Sequence, residues 1–334
     1  MRSVDLSETQ TRHARSGVPV VFVCPSCHGQ LLRSDDKLEC QACGTCFAIR
    51  GGIPMFVSDS VSGRDELHDH ANHHEREHGR QNDAHKTSQA AFFGRADLAD
   101  FEIERPHGSP ALYRFLLEEK FRRSVEPLGA KLDGWTALAV CGGSGMDAEF
   151  LRGAGASVIS SDLSLGAAQR VQERARRHHT AIEPIVADVE HLPFADRSVD
   201  LVYVHDGLHH LEDPQLGIAE MARVARLAVC ISEPAQAAAT AIGIRLGIAL
   251  DREDAGNRVV RLEPVAVASA LESAGFHVVR ADRYAMYYHH VPGRLMSLLS
   301  RRGLVRLTIL AWRLANWTIG RLGNKATIVA VRRA

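Results

Sequence analysis

Five of the seven cysteines in this 334-residue sequence fall between Cys24 and Cys46, and four of them form two Cys-X-X-Cys pairs. The pairs are Cys24 with Cys27 and Cys40 with Cys43, and twelve residues separate them. Each pair puts two thiolates on one side of a tight turn, and two such turns supply the closed tetrahedral site of structural zinc. The spacing therefore predicts a zinc ion bound by these four cysteines, with Cys46 as an extra thiol nearby.

A second group of distinctive residues follows predicted strands further along the chain. Residues 138–147 read Leu-Ala-Val-Cys-Gly-Gly-Ser-Gly-Met-Asp. Glycines there let the backbone turn sharply and approach a ligand closely. The N–H groups of the following helix would then face that ligand. Asp162 ends the next predicted strand, 17 residues after Gly145, and a carboxylate at that point can accept both hydroxyls of a ribose. Asp188 and Val189 end the third strand.

Strand and helix patterns alternate from Trp135 onward. The predicted strands are 136–140, 157–161, 182–187, 199–204, 227–232, 276–280 and 326–332, and the helices between them begin near 147, 166, 216 and 265. Such alternation predicts an α/β fold with a doubly wound, Rossmann-like and mostly parallel seven-stranded sheet. In these sheets ligands bind beyond the carboxyl ends of the strands, which is where the glycines and aspartates lie.

The glycine turn and the strand-end aspartates together resemble class I S-adenosylmethionine-dependent methyltransferases, with a core similar to that of ubiquinone and menaquinone C-methyltransferases. The resemblance covers residues 135–233. It implies that S-adenosylmethionine is bound by nine residues: Cys141, Gly142, Gly143, Gly145, Asp162, Leu163, Asp188, Val189 and His205. In such a site the glycines line the methionine moiety. Asp162 would hold the ribose, and Asp188 with Val189 would contact the adenine.

The sequence departs from that family at two positions of the turn. Ala139 stands where the family usually has an acid, and Cys141 stands where it usually has glycine. Ubiquinone and menaquinone C-methyltransferases also carry a small non-glycine residue at the second position. The missing acid removes one expected partner of the cofactor's ammonium group. A dehydrogenase would explain the glycine turn, but not Asp188 or the Leu-Pro-Phe sequence at 192–194.

The loop after the fourth predicted strand, residues 203–214, would lie beside the cofactor's sulfonium. Methyl transfer is an in-line displacement, and a base is needed only if the nucleophile carries a proton. Asp206 and His209 are the predicted catalytic bases. Glu233 and the aromatic and histidine residues at 284–290 are further candidates for lining a substrate pocket.

Three regions are predicted. Residues 20–57 form a zinc ribbon similar to short ribbons that precede some methyltransferases, including a class that modifies ribosomal RNA. Its charges balance, which favours a scaffold or protein-contact role over RNA binding. Residues 58–108 are polar and are predicted to form a flexible linker rather than a metal site, although they are rich in histidine: His68, His70, His73, His74, His78 and His85. Residues 109–334 form the methyltransferase domain.

An insertion at residues 284–325 interrupts that domain between its last two strands. It is predicted to form two amphipathic, cationic helices, with leucines and Trp317 interleaved with arginines. Residues 280–334 carry eleven Lys or Arg and one acid, a net charge of +10. A lid over the active site that buries its apolar stripe is the favoured prediction. Contact with an anionic membrane surface is the alternative.

The sequence thus predicts a cytoplasmic methyltransferase that acts on a small-molecule or lipid-linked acceptor. No signal peptide is recognised at the start, and no stretch approaches the length of a membrane-spanning helix. Two alternatives remain open. One is a ribosomal or transfer RNA methyltransferase, to which the scarcity of aromatic residues gives less support. The other is a non-catalytic protein that binds the cofactor or uses the zinc ribbon for interactions.

Overall fold

The computed structural model describes residues 20–57, 75–95, 99–129, 131–237 and 260–333. Numbered in chain order, the strands described are β1 (Leu31–Arg33), β2 (Lys37–Cys40), β3 (Cys46–Arg50), β4 (Ile53–Pro54), β5 (Thr136–Val140), β6 (Ser157–Asp162), β7 (Ile182–Val186), β8 (Val199–His205), β9 (Ala225–Pro234), β10 (Phe276–Tyr284) and β11 (Lys325–Arg332). The α-helices described are α1 (Glu75–Phe93), α2 (Ala99–Glu104), α3 (Ala111–Val125), α4 (Met146–Gly153), α5 (Leu165–Arg177), α6 (Pro214–Val224), α7 (Pro264–Ser273), α8 (Arg294–Leu299) and α9 (Leu304–Ile319).

Seven strands form one sheet in the order β10-β11-β9-β8-β5-β6-β7. β5 pairs in parallel with β6 on one side and with β8 on the other. β11 is antiparallel to both of its neighbours, β9 and β10. The predicted doubly wound, mostly parallel α/β fold is therefore confirmed. The chain moves outward from β5 in both directions, so the crevice beyond the carboxyl ends of β5 and β8 is the expected ligand site.

Both faces of this sheet are buried, which explains why its strands read as nearly continuous apolar runs. Successive side chains alternate between the two faces. In β8, Leu201 and Tyr203 pack with one cluster, and Val202 and Val204 pack with the other. The last strands are longer than periodicity predicts, because β10 pairs with β11 along its whole length to Tyr284.

The N-terminal ribbon, β1 to β4, is an antiparallel sheet docked on the edge strand β7. Met55 forms a parallel bridge with Val186, and the Phe56 amide donates to the Val186 carbonyl at 2.7 Å. The ring of Phe22 lies 5.5 Å from that of Phe194 and 5.1 Å from that of Phe56. The ribbon therefore covers an edge that would otherwise expose unpaired backbone groups, and its core is continuous with that of the large sheet.

The prediction of a flexible linker at 58–108 is wrong for its second half. Residues 75–93 and 99–104 are the helices α1 and α2, and they pack on the large sheet's helices. The guanidinium of Arg170 donates to the carbonyls of Phe93 and Arg95, and that of Arg174 donates to the carbonyls of Glu102 and Arg105. Because polar contacts hold these helices in place, their sequences show no apolar periodicity, and the sequence pattern therefore did not predict them. His68, His70, His73 and His74 lie outside the described residues.

The insertion contains the two predicted helices, α8 and α9, but the favoured lid with a buried apolar stripe is wrong. Seven of the eight residues of the predicted stripe are 42 to 83% exposed: Leu295, Leu298, Leu304, Leu307, Leu310, Leu314 and Trp317. The eighth, Leu299, is half-buried in the cluster with α3. α9 instead turns Val305, Ile309 and Trp312 inward against α3. Periodicity identified an amphipathic helix but not which of its apolar residues face the body. None of the described helices has the length and hydropathy needed to cross a bilayer.

Truncating Phe194 tests whether the ribbon and the large sheet share one core. Phe194 is fully buried and contacts Phe22 across the junction. Phe194→Ala is expected to lower the free energy of unfolding by about 3–5 kcal/mol, since it opens a cavity at the junction. Urea unfolding measures the effect, and Phe194→Leu should cost clearly less. A loss under about 1 kcal/mol for the alanine variant would contradict a shared core.

Candidate functional site

Several residues of the glycine turn after β5 have positive φ values, which residues with a side chain rarely adopt. Gly143 and Gly145 have φ values of 52° and 82°, and Cys141 also has a positive φ, 50°. A Cβ on Gly142 would lie 2.3 Å from the Ser160 hydroxyl oxygen, so the turn packs tightly against β6 on that side. Around Gly143, by contrast, no atom lies within 4 Å of where a Cβ would be. The turn therefore leaves open space at the position expected for a ligand.

Asp162, at the end of β6, is held by the same turn. Its Oδ2 accepts the Gly143 N–H and its Oδ1 accepts the Ser164 N–H, each at 2.9 Å. Burial raises the pKa of Asp162, and both N–H groups oppose this by favouring the ionised form. The carboxylate is thus fixed beside the open side of Gly143. Leu163 lies between Asp162 and Ser164, where the chain leaves the strand for α5.

Asp188 follows β7, next to Asp162, whose carbonyl accepts the Ala187 N–H at 3.0 Å. The ammonium of Lys86, from α1, lies 2.6 Å from Asp188 Oδ2 and 2.6 Å from Glu190 Oε2. Burial alone would raise the pKa of Asp188, but His191 and Lys86 outweigh it, and the pKa is lowered. The neighbouring Val189 is buried in the core of the sheet. The helix α1, which lies in the region predicted to be a linker, therefore covers the carboxyl end of β7.

The loop after β8 is pinned by Glu233, which is fully buried at the end of β9. Glu233 Oε1 accepts the N–H groups of Gly207 and Leu208 at 2.7 and 2.8 Å. Its Oε2 lies 2.8 Å from His209 Nδ1. Burial would raise the pKa of Glu233, but the pairing with His209 outweighs it and lowers the pKa. His209 therefore has the carboxylate partner that orients a histidine base in many enzymes.

Asp206 lies between two ammonium groups. Its Oδ2 is 2.6 Å from Lys120 Nζ, and its Oδ1 is 2.8 Å from Lys325 Nζ. Burial would raise the pKa of Asp206, but these lysines outweigh it and hold the pKa well below its ordinary value. Lys120 is fully buried on α3 and also donates to the Tyr288 hydroxyl at 3.1 Å. A carboxylate so strongly stabilised in its ionised form is a weak base.

A third pair connects β8 with α4. His205 Nδ1 lies 2.9 Å from Asp147 Oδ1, and its Nε2 is 3.3 Å from Asp206 Oδ2. Burial would lower the pKa of His205, but the two carboxylates outweigh it, and the pKa is raised. Cys141 is different, because burial and then Asp162 raise the pKa of its thiol well above its usual range. That thiol stays protonated and is no nucleophile at neutral pH.

The four predicted zinc ligands converge in the ribbon. The sulfurs of Cys24, Cys27, Cys40 and Cys43 all lie within 4.8 Å of one another. The Cys24 and Cys43 sulfurs are 3.7 Å apart, and those of Cys27 and Cys40 are 3.4 Å apart. Zinc–sulfur bonds of about 2.3 Å in a tetrahedron separate the sulfurs by similar distances. All four are free thiols, so the donor set fits a structural zinc ion.

The structure brings the predicted residues of the glycine turn, Asp162, Asp188 and the β8 loop to one edge of the sheet. It also adds partners that sequence reasoning missed, namely Lys86, Asp147, Lys120 and Lys325. Each of these four residues lies 58 to 119 positions along the chain from the residue that it pairs with. The pairing of His209 with Glu233 also joins distant residues. The spacing of residues in the sequence does not predict contacts between positions so far apart.

Comparison with known proteins finds a family match in the middle of the chain. Residues 138–228 match the model of a methyltransferase domain family. This part of the chain is similar to a methyltransferase domain. A demethylmenaquinone methyltransferase from Renibacterium salmoninarum is 34% identical over 107 residues, which are 32% of this chain and 44% of the relative. A malonyl-[acyl-carrier protein] O-methyltransferase from Hamiltonella defensa is 31% identical over 31% of this chain and 38% of the relative. The chain thus spans less than half the length of either relative.

The methyltransferase fold is also shared with a solved structure. Magnesium protoporphyrin IX methyltransferase from Synechocystis PCC 6803, crystallised with bound SAH, superposes with a TM-score of 0.52. The match is 16% identical in sequence and covers 74% of this chain and 100% of that one. At this identity the likeness concerns the fold alone.

The charge cluster around Asp206 predicts a specific acid sensitivity. In the unfolded chain an aspartate takes up its proton near pH 4, whereas folded Asp206 keeps its charge well below that pH. The folded state thus gains stability from Asp206 above about pH 4 and loses it as the pH falls. Asp206→Asn should cost about 3 kcal/mol or more near pH 7, because it leaves two lysines without their carboxylate.

The same variant should also lose less stability than the wild type between about pH 5 and pH 2. Urea unfolding at several pH values measures both effects. Asp36→Asn, at an exposed position of the ribbon, is the control and should follow the wild type. Equal acid-induced losses in Asp206→Asn and wild type would contradict the assignment.

Proposed function

We propose that this chain is an S-adenosylmethionine-dependent methyltransferase acting on a small-molecule or lipid-linked acceptor. The observation that carries the proposal is the contact between the glycine turn and Asp162. A carboxylate is fixed by the Gly143 N–H at the carboxyl end of a parallel strand, beside open space at the glycine. The matching methyltransferase domain model spans this turn, Asp162 and Asp188.

Bound there, S-adenosylmethionine would supply a methyl group on a sulfonium. Cys141, Gly142, Gly143 and Gly145 would border its methionine moiety, and Asp162 would accept hydrogen bonds from the ribose hydroxyls. Asp188 and Val189 would contact the adenine. Asp188 accepts one hydrogen bond from Lys86 and one from the Glu190 N–H. A carboxylate has room for further donors, so the Lys86 contact is compatible with this role.

The acid missing at Ala139 has a replacement in this proposal. Tyr203 pairs with Ala139 in the sheet and belongs to the same buried cluster. The hydroxyl of Tyr203 lies 3.4 Å from Asp147 Oδ1, so a half-buried carboxylate is present on that face. Burial would raise the pKa of Asp147, but His205 outweighs it and the pKa is lowered. An ionised Asp147 is suited to balance the cofactor's ammonium group.

His209 is the better of the two predicted bases if the acceptor carries a proton. Its Nδ1 contact with Glu233 orients the ring, as a positioned base requires. Asp206 is instead suited to anchor Lys120 and Lys325 beside the β8 loop. In this scheme the residues align the acceptor with the sulfonium, and alignment supplies most of the rate enhancement.

The acceptor class rests on two kinds of support. The relatives are named for demethylmenaquinone and for malonyl-[acyl-carrier protein]. The ribbon is similar to ribbons of methyltransferases that modify ribosomal RNA, but here it packs its aromatic side chains on the edge of the sheet. This arrangement favours a scaffold role for it. We place the reaction in the cytoplasm.

The ribbon's four cysteines would hold one structural zinc ion. The site is closed, since four thiolates complete the tetrahedron, and it would contribute folding energy rather than catalysis. Cys24 and Cys40 are also buried in the core that the ribbon shares with the methyltransferase domain. Zinc loss should therefore loosen the docked edge of that domain as well.

Calorimetry with S-adenosylmethionine and S-adenosylhomocysteine tests the proposed function. The wild type should bind both, and Asp162→Asn should bind about 10- to 100-fold more weakly, because it loses a charged hydrogen-bond acceptor. Asp36→Asn is the matched control and should bind as the wild type does. Failure of the wild type to bind either compound, or equal binding by Asp162→Asn, would overturn the proposal. Transfer of a radiolabelled methyl group to RNA rather than to lipid or metabolite fractions would overturn the acceptor class.

Metal analysis tests the zinc site. The purified protein should contain one zinc ion per chain, and Cys27→Ser should lose most of it. Cys46→Ser should keep the metal, because Cys46 lies outside the four-sulfur cluster and contacts the Gly44 carbonyl instead. Inductively coupled plasma mass spectrometry gives the stoichiometry. Zinc retained at full occupancy by Cys27→Ser, or lost equally from Cys46→Ser, would contradict the site.

A further inference from the structure

The outward face of α9 is apolar along most of its length. Leu307, Leu310, Leu314 and Trp317 recur at intervals of three and four residues, so they lie on one side of the helix. Their exposed fractions are 64, 64, 58 and 83%. Isolated exposed leucines are common on protein surfaces, but a continuous stripe of this kind marks an interaction site. We call these four residues the α9 outer face.

α9 is fixed in this orientation by its other side. Val305, Ile309 and Trp312 pack in a cluster with residues of α3. Trp312 Nε1 donates to the Ala285 carbonyl at 2.9 Å, and Asn316 Oδ1 accepts the Ala285 N–H at 2.7 Å. Rolling the helix to bury its outer face would break these contacts. The exposed stripe is therefore held outward by the fold.

The surroundings of the outer face are strongly cationic. Residues 284–325 contain seven Lys or Arg and no acid. Six of these cations are exposed arginines: Arg294, Arg301, Arg302, Arg306, Arg313 and Arg321. Within the described ranges of the chain, none of the six forms an ion pair with a carboxylate. By contrast, arginines elsewhere, such as Arg223 and Arg226, pair with acids. Arg313 lies over the ring of Phe115, 5.6 Å from its centre, a contact that leaves its charge without an anionic partner. The charges of these arginines are thus not neutralised by acids and can attract an anionic partner.

We propose that α9 docks the protein on an anionic membrane surface. Leu307, Leu310, Leu314 and Trp317 insert at the boundary between headgroups and acyl chains, and Arg306 and Arg313 reach the lipid phosphates. Amphipathic helices with a cationic border and a tryptophan bind membranes in this manner. The long arginine side chains extend their charges toward the headgroups while their stems cover apolar surface.

Other partners fit the face less well. A second copy of the chain would bring arginines against arginines across a two-fold contact, which like-charge repulsion disfavours. RNA would pair with the arginines, but the α9 outer face offers bases a single aromatic ring, that of Trp317, and its three leucines provide no stacking platform. An anionic bilayer satisfies the apolar stripe and the charges at once. This inference is independent of the proposed methyl transfer, since it needs neither cofactor nor acceptor.

Vesicle co-sedimentation with the full chain tests the proposal. The wild type should bind vesicles of phosphatidylcholine mixed with phosphatidylglycerol, and bind pure phosphatidylcholine vesicles much more weakly. The double variant Leu310→Glu with Leu314→Glu should lower binding at least roughly tenfold, because two charges would enter the interface. Leu32→Glu with Leu216→Glu is the matched control, since these leucines are 57 and 49% exposed elsewhere. It should bind like the wild type.

A charge variant and a spectroscopic signal complete the test. Arg306→Gln with Arg313→Gln should weaken binding to the anionic vesicles, whereas Arg33→Gln with Arg197→Gln should not. Anionic vesicles should shift the tryptophan fluorescence of the wild type to shorter wavelength, and Trp317→Phe should remove that shift. Circular dichroism verifies that each variant is folded.

Three results would overturn the proposal. The first is failure of the wild type to bind either kind of vesicle. The second is a loss of binding in the control variants as large as that in the α9 variants. The third is a dimer of the wild type that the double variant Leu310→Glu with Leu314→Glu dissociates, since the α9 outer face would then be a contact between two copies.

Discussion

Burying carboxylates at the carboxyl edge of a parallel sheet is the constraint on which the rest of this structure depends. A buried carboxylate without a partner costs several kcal/mol, so each one must be paired or fully hydrogen-bonded. The pairs here are Asp206 with Lys120 and Lys325, Asp188 with Lys86, Asp147 with His205, and Glu233 with His209. Three of these partners come from elements that lie far from the glycine turn in the chain. Lys86 comes from α1, Lys120 from α3 and Lys325 from the last strand. The site is therefore complete only when both ends of the domain have packed.

The ribbon supports the sheet at its lateral edge, strand β7. It joins β7 through Met55 and Phe56, and its aromatic side chains pack on Phe194. Phe194 belongs to the turn that follows Asp188, so the ribbon supports the loop where the adenine is proposed to bind. An edge strand would otherwise offer unpaired backbone groups to another chain. A small metal-stabilised unit is well suited to this position, since it covers the edge without needing a large core of its own.

The outer face of α9 and the site share supporting elements. α3 carries Lys120, which pairs with Asp206, and it also packs against the inner side of α9. The segment after β10 holds α9 through Ala285 and reaches Lys120 through the Tyr288 hydroxyl. A surface that docks on lipid would thus be connected to the β8 loop through two packed elements. For an acceptor with a lipid tail, this connection would bring the site close to the membrane without a spanning helix.

The sequence alone determined the order of strands and helices, the doubly wound sheet, the glycine turn and the grouping of the four cysteines. These features rest on local signals: alternating apolar periodicity, glycine conformational freedom and short metal-ligand spacing. Only the tertiary structure decided that residues 75–104 include helices, because Arg170, Arg174 and Lys86 hold them by polar contacts that leave no periodic trace. It also decided the pairing of Asp206, which joins positions 120, 206 and 325, and the side of α9 that faces outward. Charge pairs over such separations and the rotation of a helix with two apolar sides depend on the packed whole, and local residue pattern does not encode them.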